Sequence, residues 1–291
     1  MEFNEFIVKI LESVRNELPD CEAEIRKVVK NNNVTLSGLT IKSKDINTAP
    51  TIYLEQFYES YQEGEDLDEV VNVILRLYED SRLSEDYDLD FVEKYEEAKN
   101  HIYFKAVNQK LNKEYLSEVV FFPFRDLALV PYIMIDDDIF GNASVVIHNE
   151  LFKLWNIDKD EFYSDVMYNM ENNYEYEFRP IVDVLGAMAD SFPREAFDEA
   201  GMHVLYSKNR IYSAALIAVD GVMEKIASKL DSDYYIIPSS VHELIIVTAD
   251  GEDCEETINN IISEVNDTVV SGEDILADHL YCYRRGVGIT L

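Results

Sequence analysis

The sequence predicts an α+β protein of mixed, mainly antiparallel sheets with helices packed on them, divided into two sub-domains. Three observations predict it. Apolar residues recur at spacings of three and four in several segments, the mark of amphipathic helices, while β-branched runs fall in pairs between those helices instead of alternating with them. Of 291 residues, 47% are apolar and 12% aromatic, which is ample to bury a core at a length of one large or two medium domains. Asn108, Gln109, Lys110, Asn112 and Lys113 interrupt the apolar pattern, so the expected division is an N-terminal domain over 1–112 and a C-terminal domain over 113–291.

Taken in order, Phe3, Phe6, Ile7, Ile10, Leu11, Val14 and Leu18 form one apolar helix face, closed by Pro19. Ala23 to Val29 and Val34 to Ile41 then read as a hairpin, because Asn31-Asn32-Asn33 tolerates the positive φ angles of a tight turn. Leu39 and Ile41 are out of phase with Val34 and Leu36, which predicts a bulge at Ser37-Gly38. After Ala49-Pro50 a strand Thr51 to Tyr53 leads to a helix through Leu54, Phe57, Tyr58 and Tyr61, ended by Gly64. Leu67, Val70, Val71, Ile74, Leu75 and Tyr78 give the cleanest helical periodicity in the chain, with acids on the opposite face. Asp88 to Lys99 reads as helix and His101 to Val107 as strand. Val119 to Phe124 and Leu127 to Ile135 read as strands whose prolines, Pro123 and Pro131, predict edges or bends.

Asp136-Asp137-Asp138 and Gly141 mark a turn before a strand at Ser144 to Ile147, and helices follow at Asn149 to Trp155 and Lys159 to Met170. The last third reads as a strand His203 to Tyr206, an extended apolar run Ala214 to Val219, and a helix with Val222, Met223, Ile226, Ala227 and Leu230. Tyr234 to Ile237 and Leu244 to Val247 then flank a Pro238-Ser239-Ser240 turn, followed by a helix from Glu252 to Val265 and a closing strand Leu280 to Tyr283.

Charge excludes several functions. The chain holds 25 Lys and Arg against 58 Asp and Glu, a net −33. From Glu59 to Glu97 there are fifteen acids and three bases (Arg76, Arg82, Lys94), and from Leu230 through Tyr283 there is no Lys or Arg at all. Binding to phosphate backbones or anionic lipid depends on Lys and Arg, so neither direct nucleic-acid binding nor membrane binding is expected of these regions. A cationic partner fits. The Met1-Glu2-Phe3-Asn4-Glu5 start lacks the basic and apolar character of a signal peptide, and no apolar run reaches a membrane span, so a cytoplasmic location is expected. Cys21, Cys254 and Cys282 form no C-x-x-C pair and read as buried thiols.

No motif supplies a cofactor or metal site. Asp136-Asp137-Asp138-Ile139-Phe140-Gly141 resembles a calcium loop, but Phe140 and Ile147 stand where oxygen ligands are required. His148-Asn149-Glu150 matches half of a zinc deaminase signature whose P-C-x-x-C is missing. There is no phosphate-binding glycine loop. Ser239, Ser240, His242 and Glu243 hold the ingredients of nucleophilic catalysis, yet hydrolase triads converge from separate segments and no G-x-S-x-G elbow occurs.

The strings Ala49-Pro50-Thr51-Ile52-Tyr53-Leu54, Ser144-Val145-Val146-Ile147-His148-Asn149-Glu150-Leu151 and Tyr235-Ile236-Ile237-Pro238-Ser239-Ser240-Val241-His242-Glu243-Leu244-Ile245-Ile246 resemble a family of uncharacterised bacterial proteins, domain of unknown function 5688. The stretches Val265-Asn266-Asp267 and Glu273-Asp274-Ile275-Leu276-Ala277-Asp278-His279-Leu280-Tyr281 fit it too, so the similarity runs over almost the whole chain. The resemblance implies a low-GC anaerobic source of gut type and accessory or mobile genomic regions. It implies no activity, and it makes Ser239, Ser240, His242, Asp278 and His279 signature positions.

Two functions follow as expectations. The first is a non-enzymatic module that binds a basic or nucleic-acid-binding protein through acidic and tyrosine-rich faces, motivated by nineteen tyrosines and the net charge. The second is a small-molecule or hydrolytic site near His242, Glu243, Asp278 and His279, each segment offering a histidine beside a carboxylate.

Overall fold

The computed structural model describes residues 1–43, 51–81, 90–137, 141–185, 201–249, 262 and 271–291. The contacts fall into two units, the first built from Met1–Lys30 and Val34–Asp90, the second from Asn31–Asn33, Phe91–Asp137 and Gly141–Leu291. Every strand pairing among the described residues is antiparallel, and helices accompany the sheets in both units, so the class is α+β. Ala49-Pro50, the helix expected from Glu252, the Asp138 to Phe140 turn and Cys254 lie outside the described residues.

In the first unit, α1 (Phe3–Glu17) buries Phe6, Ile10 and Val14, one residue per turn. The Arg15 guanidinium donates twice to the Ala23 carbonyl, at 3.1 and 2.7 Å, fixing the helix to the strand that follows. β1 (Cys21–Val29), β2 (Thr35–Ser43) and β3 (Thr51–Tyr53) form one sheet in the order β1-β2-β3. Asn32 and Asn33 in the β1–β2 connection take φ of 59° and 58°, the left-handed conformation asparagine tolerates.

The expected bulge at Ser37-Gly38 is absent. Pairing runs unbroken from Cys21↔Ser43 to Val29↔Thr35, and Ser37, Leu39 and Ile41 share the buried face with Ala23 and Ile25. The apolar residues that broke the phase belong to the opposite face, where Val28 pairs with Leu36. Gly38 answers to a close approach, since a Cβ there would lie 2.6 Å from Thr51 Cγ2 across the β2–β3 pairing. Above the buried face, α2 (Glu55–Gln62) and α3 (Leu67–Ser81) add Phe57, Val70, Val71, Ile74 and Tyr78 to the core.

The second unit opens with a broken helix. Asp90–Glu93 and Lys99–His101 are 3-10 turns around a short α4 (Tyr95–Ala98), because Lys94 is extended (φ −110°, ψ 104°). β4 (Ile102–Asn108), α5 (Lys113–Glu118), β5 (Phe122–Phe124), β6 (Leu127–Asp137) and β7 (Gly141–Val146) follow. β6 is the centre of this sheet, paired to β4 along one edge and to β5 and then β7 along the other.

Pro131 therefore occupies a central strand, contrary to expectation, and the hydrogen bonds show why it is tolerated. Its partner Phe104 sends its N–H away from β6, to Met170 Sδ at 3.4 Å, so Phe104↔Pro131 is a pair that needs no donor from either residue. The proline nitrogen faces the other edge, at the gap between β5 and β7, where only its carbonyl is used, by the Ile147 N–H at 3.1 Å. Pro123 sits on the three-residue β5, the kind of edge expected for it.

After α6 (Asn149–Trp155), α7 (Lys159–Asn172) is capped by Asp158, whose side chain accepts from the Asp160 and Glu161 N–H groups. β8 (Tyr176–Pro180), α8 (Ile181–Leu185), β9 (Met202–Ser207), α9 (Asp220–Leu230), β10 (Tyr234–Ser240), β11 (Glu243–Thr248), β12 (Tyr281–Arg284) and β13 (Gly288–Thr290) complete the unit. They build a six-stranded sheet in the order β13-β12-β10-β11-β9-β8. Two expectations are corrected here. The run Ala214 to Val219 is a fully buried 3-10 helix over Ser213–Ala218, since a short apolar run carries no periodicity to separate helix from strand. Pro238-Ser239-Ser240 is the bulged end of β10: Ile237 pairs with Ile245 and Ser240 with Glu243, so Pro238 and Ser239 oppose Leu244 alone.

Candidate functional site

The six residues singled out by sequence fall around two histidines of the second unit. Ser240 and Glu243 are the last strand pair of β10 and β11, and Val241-His242 is the two-residue turn between them. Ser239 lies in the bulge. Asp278 and His279 immediately precede β12.

His242 is held on both ring nitrogens. The Tyr212 N–H donates to Nδ1 at 3.3 Å, which leaves the ring proton on Nε2, 3.3 Å from Asp274 Oδ1. The ring also stacks on Tyr212, 5.5 Å between centroids at 20°. Tyr212 carries φ 52°, a left-handed strain for an aromatic residue, and the contacts to His242 are what that conformation delivers. Ser240 Oγ accepts from the backbone N–H of His242 at 3.0 Å and does not donate to the ring. The Lys105 ammonium lies 5.2 Å from the Tyr212 ring and 5.3 Å from the Tyr115 ring.

His279 has its own carboxylates. Nδ1 is 3.0 Å from Asp278 Oδ1, and Nε2 is 3.6 Å from Asp126 Oδ2. The Tyr281 hydroxyl donates to the other oxygen of Asp126 at 2.9 Å. The hydrogen bond from His279 holds the Asp278 carboxyl below its ordinary value. Burial first, and the Asp126 charge second, push the Tyr281 hydroxyl well above 10.

His242 thus clips the 271–280 segment through Asp274 to the β10–β11 turn, while the β5–β6 turn is reached by the Tyr281 hydroxyl, since the buried His279 Nε2 lies near Asp126 without a hydrogen bond. The Val241 N–H to Asp274 carbonyl bond (2.9 Å) and the Asn108 amide to Leu276 carbonyl bond (3.0 Å) hold the same segment. With Nδ1 and Nε2 of His242 engaged and Ser240 Oγ turned to the backbone, the arrangement is suited to holding a loop, and Ser240 offers the ring no proton relay. Asp274, Asp126 and Tyr212 were invisible to sequence reasoning, since each meets its histidine from a separate segment. Among the described residues no group of three or more His, Cys, Asp or Glu side chains is placed to hold a metal ion.

The acids of the first unit's second and third helices lie at the surface. Along α2 and α3, Glu59, Glu63, Glu65, Asp66, Asp68, Glu69, Glu79 and Asp80 are all exposed, and Arg76 is the one base between residues 59 and 81. Tyr58 and Tyr61 fix α2 in place against Phe3 and Phe6, with centroids 5.1 to 5.6 Å apart, and the Tyr58 hydroxyl donates to the Met1 carbonyl at 2.9 Å. Asp66 Oδ1 accepts the Asp68 N–H at 2.9 Å, and Asp68 and Glu69 lie in the first turn of α3, where the helix dipole favours negative charge.

The opposite ends of the helices break that rule. Glu79 and Asp80 stand in the last turn of α3, which contains no base, and Glu59 and Glu63 stand at the C-terminal end of α2, also without a base. Each such acid opposes the dipole, at a cost of about 0.3–1 kcal/mol. On the same outer face Leu77 is 42% exposed. The tyrosines contribute less to the surface than expected: Tyr78, Tyr95, Tyr132, Tyr174, Tyr206, Tyr234, Tyr281 and Tyr283 are buried.

A model described as Family of unknown function (DUF5688) matches residues 3–285 of the chain, and the chain belongs to that family. No curated protein and no solved structure matches it. Among the described residues no helix is long and apolar enough to cross a membrane.

Proposed function

We propose that this member of the DUF5688 family is a non-enzymatic protein-binding module whose α2–α3 face receives a basic partner, of the kind that itself binds nucleic acid. One observation carries the reading: both helices end in exposed acids where their own dipoles disfavour them. An acid at a helix C-terminus runs against the dipole, and a local rule broken on an exposed surface is expected where a surface serves recognition. Leu77, exposed between Arg76 and the Glu79-Asp80 pair, gives the face an apolar anchor that a purely solvating surface does not need. A cytoplasmic, bacterial accessory setting belongs to the same proposal.

The test is retention of proteins from a bacterial lysate, identified by mass spectrometry, on the full-length chain and two variants. One variant carries Glu59→Gln, Glu63→Gln, Glu69→Gln and Glu79→Gln. The other loses the same charge from exposed sites of the second unit, with Glu114→Gln, Glu118→Gln, Glu150→Gln and Glu161→Gln. The expected result is a basic protein retained at about 50 mM salt, released near 0.5 M, lost from the first variant and kept by the second. Equal losses from both variants, or no basic protein retained by the native chain, would overturn the proposal.

A further inference from the structure

The second unit contains a cavity of about 430 Å3 lined by Tyr103 on β4, Met134 on β6, Asn173, Tyr174 and Glu175 after α7, and Ser207, Lys208 and Asn209 at and after the end of β9. Its volume lies within the range of about 300–1,000 Å3 usual for small-molecule sites. We infer that this cavity binds a small uncharged heteroaromatic molecule of the purine base or nucleoside class.

The wall comes from aromatic packing. Tyr103 and Tyr174 meet at 5.3 Å and 57°, so they present surfaces in two directions, and one flat ring can lie on the face of one while meeting the edge of the other. Met134 Sδ adds a polarizable contact of the kind aromatic rings accept. Tyr174 cannot swing away, because its hydroxyl donates to the Ile211 carbonyl at 2.6 Å. The wall is therefore preformed.

The polar groups of the rim select heteroatoms. Asn173 is anchored through one amide hydrogen, which donates to Asn169 Oδ1 at 3.0 Å. Asn169 is itself buried and fixed by bonds to the Lys99 and Ile102 carbonyls at 2.7 and 3.0 Å. Asn173 keeps its Oδ1 acceptor and a second N–H, the donor and acceptor pair with which an amide reads the edge of a purine. Asn209 also lines the cavity, its amide 3.6 Å from Met134 Sδ.

Charge then sets the class. Lys208 Nζ and Glu175 Oε2 are 3.0 Å apart, so the two full charges of the cavity neutralise each other and neither sign of ligand is favoured. The adjoining groove, which shares Tyr174, Glu175 and Lys208, adds Glu177, paired with Arg179 at 2.7 Å, and Glu171, which leaves the groove net negative. A phosphate on the ligand would enter that field, which makes a nucleoside a better fit than its nucleotide.

Calorimetric titration of the full-length protein with adenosine, AMP and indole tests the assignment. Adenosine is expected to bind saturably, with AMP and indole each weaker by about tenfold or more, the first for its phosphate and the second for its missing edge groups. Tyr103→Leu should abolish adenosine binding and Asn173→Ala should weaken it, while His101→Ala, outside the cavity, leaves it unchanged. Circular dichroism of each variant establishes that it is folded. Absence of saturable adenosine binding, equal binding of AMP or indole, or binding that survives both Tyr103→Leu and Asn173→Ala would overturn the inference.

Discussion

The two units put their acids and most of their tyrosines to different use, although Tyr78 of the first is buried as those of the second are. In the first, acids crowd two helix ends and aromatic residues staple α2 to α1 from the side. In the second, tyrosines go inside: Tyr132, Tyr234 and Tyr281 are fully buried, while the acids near the histidines act as partners for ring nitrogens and hydroxyls. A high tyrosine count therefore does not by itself announce an interaction surface. A tyrosine's ring fills a core as well as phenylalanine does, at the cost of satisfying one hydroxyl. Where an acid stands relative to a helix end tells more than how many acids there are.

The largest effect that would sharpen this contrast is alkaline unfolding of the second unit. Burial pushes the hydroxyls of Tyr115, Tyr132, Tyr174, Tyr234 and Tyr281 upward. A phenol whose folded value is raised contributes stability that is fully present below about pH 10. Above that, each one subtracts about 1.4 kcal/mol per pH unit as the unfolded chain ionises. Trp155, the one tryptophan of the chain, packs 5.4 Å from Tyr95 and donates to the Val92 carbonyl at 3.0 Å, so its emission reports on this unit. A red shift is expected between about pH 10 and 11.5; unchanged emission through that range would mean the tyrosines are not sealed from water.

Next in size is a comparison within α3. Ile74→Ala removes a fully buried side chain and should cost about 2–5 kcal/mol in urea unfolding. Leu77→Ala, three residues along on the outer face, should stay within about 0.5 kcal/mol. If the two cost the same, Leu77 is part of a packed surface and the outer face is not free for a partner. Below Ile74→Ala in size, Gly38→Ala should cost about 1–3 kcal/mol, since its Cβ meets Thr51 Cγ2 at 2.6 Å and either the side chain or β3 must shift. A neutral result would place β3 further from β2 than the sheet requires.

Much of the fold was legible from sequence where one signal dominated. The spacing of Val70, Val71, Ile74 and Tyr78 specified α3 and its buried face, and three consecutive asparagines specified the turn between β1 and β2. Legibility failed where the deciding partner lay elsewhere. Pro131 fits a central strand only because Phe104 turns its N–H to Met170, which the proline's own neighbourhood does not reveal. Ala214 to Val219 is apolar on every side, so period could not choose between helix and strand. At the histidines, sequence found the rings and missed what holds them, because Tyr212 reaches His242 across 30 residues and Tyr281 reaches Asp126 across 155.

On the proposed function, the acids closing α2 and α3 serve recognition at the expense of local stability. The double variant Glu79→Lys and Asp80→Lys tests it with two readings on one protein. Placing bases in the last turn of α3 satisfies the helix dipole, so the free energy of unfolding in urea should rise, by about 0.3–1 kcal/mol for each position. The same change reverses charge on the proposed binding face, so the basic protein retained by the native chain should be lost. A chain that becomes more stable and stops binding is the predicted result, and one that becomes more stable while its partner is retained at the native salt dependence would contradict the claim.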